Sequence, residues 1–201
     1  MKEPTRRIRY LTQEQAAKLL LELPTHLRDL AAFSLATGLR RANITGLTWE
    51  QVDLPRKLAW VHPDQAKARR AIAVPLNDMA MSVLRSQVGI HPVHVFSYLG
   101  KSIYRVSTNA WYQALKRAGI EDFRFHDLRR TWASSHVQSR TPLVALQELG
   151  GWETEQMVRR YAHLSADHLA QWAGRAQIHG TFLAHPPSFL KLLDENVIEI
   201  Q

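Results

Sequence analysis

The 201-residue chain contains no cysteine. That excludes a disulfide framework, a thiolate nucleophile and any Cys-ligated zinc, and it accords with a reducing cytoplasm. No apolar run approaches the roughly 20 residues that cross a bilayer, and no apolar core of a secretory signal follows Met1-Lys2-Glu3-Pro4-Thr5-Arg6-Arg7. The ten histidines are scattered without ligand spacing, so no zinc centre is expected. Internal repeats and low-complexity tracts are also missing.

Acidic residues are in short supply. There are 18 Asp and Glu against 26 Lys and Arg, a formal net charge of +8. Such an excess points to an anionic partner, nucleic acid first and an anionic membrane surface second. Composition alone describes a generically basic soluble protein equally well. The hydrophobic fraction of 45% supports a core, and the length suits one domain with an appendage. The charge is uneven: residues 176–201 hold one lysine against three acids. They form a different kind of segment from the body.

The pattern predicts a mainly helical α+β fold with one small antiparallel sheet. Thr12-Gln13-Glu14-Gln15 reads as a capping box opening a helix to about Glu22. Pro24-Thr25 starts a second helix, with Leu27, Leu30, Ala31 and Leu35 at helical spacing, which Gly38 ends in a left-handed cap. A short helix then follows Arg40. Residues 58–62 and 71–75 read as strands joined by a basic connection that holds Lys67, Arg69 and Arg70. A further short strand is expected near Gln51–Leu54. Asn77 caps a helix to about Ser86, and Val93–Ser97 is extended. Further helices run from about Thr108 to Gly119, from His126 to about Ser139, and from Pro142 to Gly150-Gly151. Thr154 caps the helix that delivers Tyr161, and Ser165 caps another. Beyond Pro186-Pro187 lies an amphipathic piece with Phe189, Leu192 and Leu193, ending in the strand-like Val197–Ile200.

One region concentrates the chemistry. His126 and Arg129 are three apart and share a helix face, where they can hold a phosphate. Trp152 offers an indole N–H, a donor only. Tyr161 offers a phenol oxygen as a nucleophile, and Arg40 and Lys67 can complete a cage. Such parts suit breaking a phosphodiester without a metal. Each residue also has an ordinary reading: a surface salt bridge for the arginines, a solvated loop charge for Lys67, a capping or core position for His126, a packed ring for Tyr161.

Thr37-Gly38-Leu39-Arg40, His126-Asp127-Leu128-Arg129, Leu149-Gly150-Gly151-Trp152 and Arg160-Tyr161-Ala162-His163 stand in the order and approximate spacing of the tyrosine recombinase (phage integrase) family, which the chain resembles over roughly residues 10–170. Each motif alone is weak; the four in order in a basic chain are a strong signal. The resemblance implies a site-specific recombinase that cuts and rejoins double-stranded DNA. It assigns Arg40 and Arg129 to the scissile phosphate, which arginine's fork matches. Tyr161 would form a covalent 3′-phosphotyrosyl link and free a 5′-hydroxyl, so that no ATP, cofactor or small-molecule substrate is needed. Lys67, placed before Val74-Pro75-Leu76, would give a proton to the leaving oxygen. His126 would shuttle a proton or bind phosphate. Trp152 stands where many members have histidine and cannot exchange a proton, so its role is binding and packing. His163 supports local structure. Arg41, Arg69, Arg70 and Arg130 are expected at the DNA backbone. Tyr10, Tyr98, Tyr104 and Tyr112 have no comparable setting.

Two departures follow. Asn43 stands where the family often has an acid. Residues 1–178 also match a catalytic domain alone, so the separate N-terminal helical clamp domain is expected to be absent. DNA binding should then be weak and fall with salt. Residues 179–201 read either as a protomer–protomer contact or as a tail folded on its own domain. The implied setting is a bacterial or phage-encoded cytoplasmic enzyme that assembles as a tetramer in a synaptic complex. Alternatives are a catalytically silent DNA-binding remnant and a type IB topoisomerase-like relaxer.

Overall fold

The computed structural model describes residues 9–62 and 71–162. Lys67, Arg69, Arg70, His163, the helix expected after Ser165 and the 179–201 tail lie outside the described residues. Eight α-helices occupy the described part: α1 Gln13–Glu22, α2 Thr25–Thr37, α3 Arg41–Thr45, α4 Asp78–Gln87, α5 Asn109–Ala118, α6 Asp127–Gln138, α7 Leu143–Gly150 and α8 Glu155–Arg159. The strands are β1 Val52–Asp53, β2 Leu58–Val61, β3 Ile72–Pro75, β4 Ser97–Tyr98 and β5 Lys101–Ser102.

Local chemistry explains most of the boundaries. Thr12 Oγ1 accepts from the Gln15 N–H, and Gln15 Oε1 accepts from the Thr12 N–H, both at 3.1 Å. This satisfies donors that the start of α1 would otherwise leave open. Gly38 closes α2 at φ 63°, a left-handed conformation that glycine adopts without a Cβ penalty. Asn77 does two jobs at the start of α4. Its Oδ1 caps Ala80 N–H at 2.9 Å, while its Nδ2 donates to Ala36 O at 3.1 Å and ties α4 to α2.

β1, β2 and β3 form an antiparallel sheet in that order, with Ala59 opposite Val74 and Val61 opposite Ile72. Ala59, Val61 and Val74 turn into the core. The expected single sheet needs correction, because β4 and β5 form a second, two-stranded one. Its turn places Leu99 at φ 52° and Gly100 at φ 72°, the doubly left-handed geometry that matches hairpin twist. The stretch near Val93–Ser97, expected to be extended, is bent at Val93, Val95 and Phe96, with a lone bridge from His94 to Thr48, Val95 N–H on Leu47 O and Trp49 N–H on Val93 O. Pro142 precedes α7 rather than occupying its first turn.

Helix α2 is central, packing on α4 and α6, while α1 packs on α5. Leu19, Leu27, Leu30, Phe33, Leu84 and Trp111 are fully buried in the main core. A second, smaller cluster joins α6, α7 and α8 through Trp132, Val137, Leu146, Trp152, Val158 and Tyr161. The functional side chains gather beside that cluster.

Candidate active site

One turn and one helix carry the central cations. Arg40 follows the Gly38 turn and caps α3, half-buried. Arg129 lies on α6 and is only 5% exposed. Its Nη1 donates to Gly38 O and its Nη2 to Gly150 O, each at 2.5 Å. The guanidinium carbon sits 4.3 Å from the centre of the Trp152 ring, in cation–π contact. Among the described residues no carboxylate pairs with Arg129. Burial first, and Arg40 second, push its pKa down to about 10, with Tyr161 opposing. It is therefore still a cation at neutral pH, and among the described residues only dipoles and a π face balance it. Cations held this way leave an unmet demand for an anion.

His126 stands at the N-terminus of α6 and is exposed. Desolvation lowers its pKa from the ordinary histidine value, Arg130 and Arg129 lower it further, and Asp127 opposes them. It is thus a neutral imidazole near pH 7, suited to accepting a proton. Asp127 is buried; its Oδ1 accepts from Arg130 Nη1 at 2.7 Å and its Oδ2 from Arg124 N–H at 2.8 Å. Arg130 is therefore half-buried and paired, although it still lines the site. Arg41 is exposed on α3, and Asn43 is buried with its N–H on Arg40 O.

Tyr161 differs from expectation in one respect. Helix α8 ends at Arg159, so Tyr161 sits in the turn beyond it, its N–H on Val158 O at 2.9 Å. The ring is 4% exposed and lies 6.1 Å from the Trp152 ring. Burial raises the phenol pKa, against the opposing pull of Arg129, Arg130 and Arg160. Tyr161 is a phenol at neutral pH, and the same cations would stabilise its oxygen as charge develops.

These residues share one cleft of about 280 Å³, lined by Arg40, His126, Arg129, Arg130, Trp152 and Tyr161 together with Glu153, Met157 and Arg160. Five of the six candidate catalytic residues are thus brought together, and the sixth, Lys67, lies outside the described residues. Sequence reasoning missed Arg160, Glu153 and Met157 as lining. For Arg160 a signal existed, since it immediately precedes the nucleophile candidate. Trp152 behaves as expected in packing, with its ring as the shelf under Arg129.

Burial also lowers the pKa of His136 and of His26, the latter opposed by Asp29. With His126, three histidines then bind protons more readily in the unfolded chain. Their stabilising contribution is complete above the unfolded value of about 6.5 and is lost as pH falls through the lower folded values. The melting temperature should therefore fall between pH 7 and pH 5, and the fall should shrink in His136→Gln. An unchanged slope in that variant would remove His136 from the account.

Comparison with known proteins bears on the family and the fold. The model of the phage integrase family matches residues 9–168. The integrase of Salmonella phage P22 is 50% identical over 182 residues, covering 84% of this chain and 47% of that protein. The chain spans about half the length of the curated relatives it matches. Among solved structures, the catalytic domain of bacteriophage HP1 integrase superposes with a TM-score of 0.64 at 23% identity, covering 86% of this chain and 97% of that one. The Tn1549 transposon integrase, solved in complex with a circular intermediate DNA, gives 0.73 at 17% identity, covering 87% and 68%. These two likenesses concern the fold. With the family model matched across most of the chain and half of the aligned residues shared with a phage integrase, the chain belongs to the phage integrase family.

Proposed function

We propose that the cleft is the strand-cleaving and rejoining centre of a site-specific recombinase, acting on double-stranded DNA. The observation that carries this reading is the gathering of Arg40, His126, Arg129, Trp152 and Tyr161 around one small cleft. The Tyr161 oxygen attacks the scissile phosphorus and its proton passes to the neutral His126. The bond from phosphorus to the 5′ oxygen breaks, and that oxygen takes a proton from Lys67. The products are a 3′-phosphotyrosyl link and a 5′-hydroxyl, and the reverse attack by a 5′-hydroxyl rejoins the strand. Arg40 and Arg129 hold the non-bridging oxygens, where charge builds in the transition state. The link keeps the bond energy, so neither metal nor ATP takes part.

Among the described residues, four cleft arginines, Arg40, Arg129, Arg130 and Arg160, against one lining acid, Glu153, favour a polyanion. That an integrase of this fold has been solved with DNA supports the same partner. Arg41, Arg69, Arg70 and Arg130 serve the DNA backbone, four protomers act in the synaptic complex, and residues 179–201 make the contact between them. The setting is the cytoplasm of a bacterium carrying the phage or prophage.

The test is covalent trapping. The chain is incubated in EDTA with a nicked duplex bearing a verified attachment site, and the SDS-resistant product is digested and its peptides weighed. The expected result is a nucleotide mass on the peptide containing Tyr161. DNA binding without any adduct, or an adduct on another residue, would overturn the reading.

A further inference from the structure

Trp132 lies three residues after Arg129 on α6, and no motif in the sequence singles it out. Its ring presses on the bare α-carbon of Gly38: a Cβ built there would meet Trp132 Cδ2 and Cε3 at 2.2 Å. The other glycine whose carbonyl holds Arg129 is treated in the same way, since a Cβ on Gly150 would meet Trp152 Cζ3 at 1.9 Å. The two indoles stack on each other, centroids 6.0 Å apart at 27°. Arg129 closes the figure by donating to both glycine carbonyls and lying over Trp152.

We propose that Trp132 is a positioning residue of the active site, clamping the Gly38 turn against Arg129 and so setting Arg40 relative to Arg129 without touching substrate. The physical need is plain. Arg40 and Arg129 repel each other, and Arg40 is carried only two residues beyond Gly38. A turn free to move would let that repulsion carry Arg40 outward before an anion arrives. The indole face, the bond from Arg129 to Gly38 O and the Trp152 stack each oppose that movement. Glycine at position 38 therefore has a second duty besides its left-handed φ of 63°: it gives the indole room to approach. Misplacement of a phosphate-holding group by about 1 Å can cost on the order of 100-fold in rate, so a clamp here acts on chemistry more than on affinity.

The clamp can be tested without any reaction. In the DNA-free chain, exchange of the Arg129 side-chain N–H protons is followed by NMR, the signals being assigned by their loss in Arg129→Lys. Trp132→Leu should speed exchange on the order of tenfold, and Trp132→Phe, with a smaller ring, about threefold. Trp111→Leu and Trp111→Phe are the controls, because Trp111 is fully buried in the main core. They should lower the melting temperature comparably and leave Arg129 exchange alone. If Trp132→Leu does not fold, the pair of phenylalanine variants decides. Exchange unchanged in the Trp132 variants, or accelerated equally in the Trp111 variants, would reduce Trp132 to a core residue. The consequence for cleavage rests on the proposed function: adduct formation at saturating DNA should fall about 100-fold in Trp132→Leu, with DNA affinity within a few-fold. A wild-type chain that forms no adduct would sink the cleavage reading and leave the exchange result to judge the clamp.

Discussion

Tyr161→Phe should abolish the covalent adduct, a loss of about 10⁴-fold or more, and leave the fold standing. The ring of Tyr161 is buried against Trp152 in the smaller core cluster, and phenylalanine supplies the same ring. Only the hydroxyl is lost, which costs about 1 kcal/mol or less, or roughly 2–4 °C in melting temperature for a domain of this size. Tyr161→Ala would be a poor control, since it empties a buried aromatic site at about 3–5 kcal/mol and confuses lost chemistry with lost packing. DNA binding should survive in Tyr161→Phe, because the proposed phosphate contacts come from the arginines. An adduct that persists would move the nucleophile elsewhere. Tyr98, Tyr104 and Tyr112 are half or more exposed, and none of them lines the cleft.

Where local chemistry punctuates the chain, the architecture was legible before the structure. Thr12 with Gln15, Gly38, Asn77 and Gly119 each announce an end of a helix through a side chain or a permitted φ, and each sits where that chemistry predicts. The β4–β5 hairpin escaped because its strands are two residues long, too short for alternation to register. Its first left-handed turn residue is Leu99, a type that gives no hint of positive φ. The early end of α8 escaped for a related reason, since five residues give a helical period almost nothing to repeat.

The candidate site was legible as a set of residues but not as a mechanism of support. Motif order named Arg40, His126, Arg129, Trp152 and Tyr161, and the cleft contains all five. Nothing in the order of residues says that Arg129 grips two backbone carbonyls, or that Trp132 and Trp152 press on the glycines that own them. Apart from the local contact of Trp152 with Gly150, those are contacts between α6 and distant turns. Backbone acceptors leave no trace in side-chain pattern, and a tryptophan in a helix reads first as core.

That double duty makes Arg129→Lys the second large effect, and one with a signature of its own. Lysine keeps the charge, so neither the repulsion from Arg40 nor the net field changes. It loses the planar fork: a single ammonium cannot reach the carbonyls of Gly38 and Gly150 together while lying flat over Trp152. At least one buried carbonyl is left without its donor, at about 1–3 kcal/mol, and the melting temperature should drop by about 2–12 °C. The phosphate loses a bidentate partner as well, so adduct formation should fall by about 10²–10³-fold. Arg40→Lys is the informative counterpart. Arg40 is half-buried and has no such pair of carbonyl bonds among the described residues. Its replacement should cost a similar factor in rate with a shift of only about 2 °C or less. If both variants lose rate and melting temperature equally, Arg129 is not the brace of the site. If Arg129→Lys alone loses stability, one guanidinium both holds the two glycine turns and faces the cleft, and the geometry of this active site cannot be separated from the stability of the cluster beneath it.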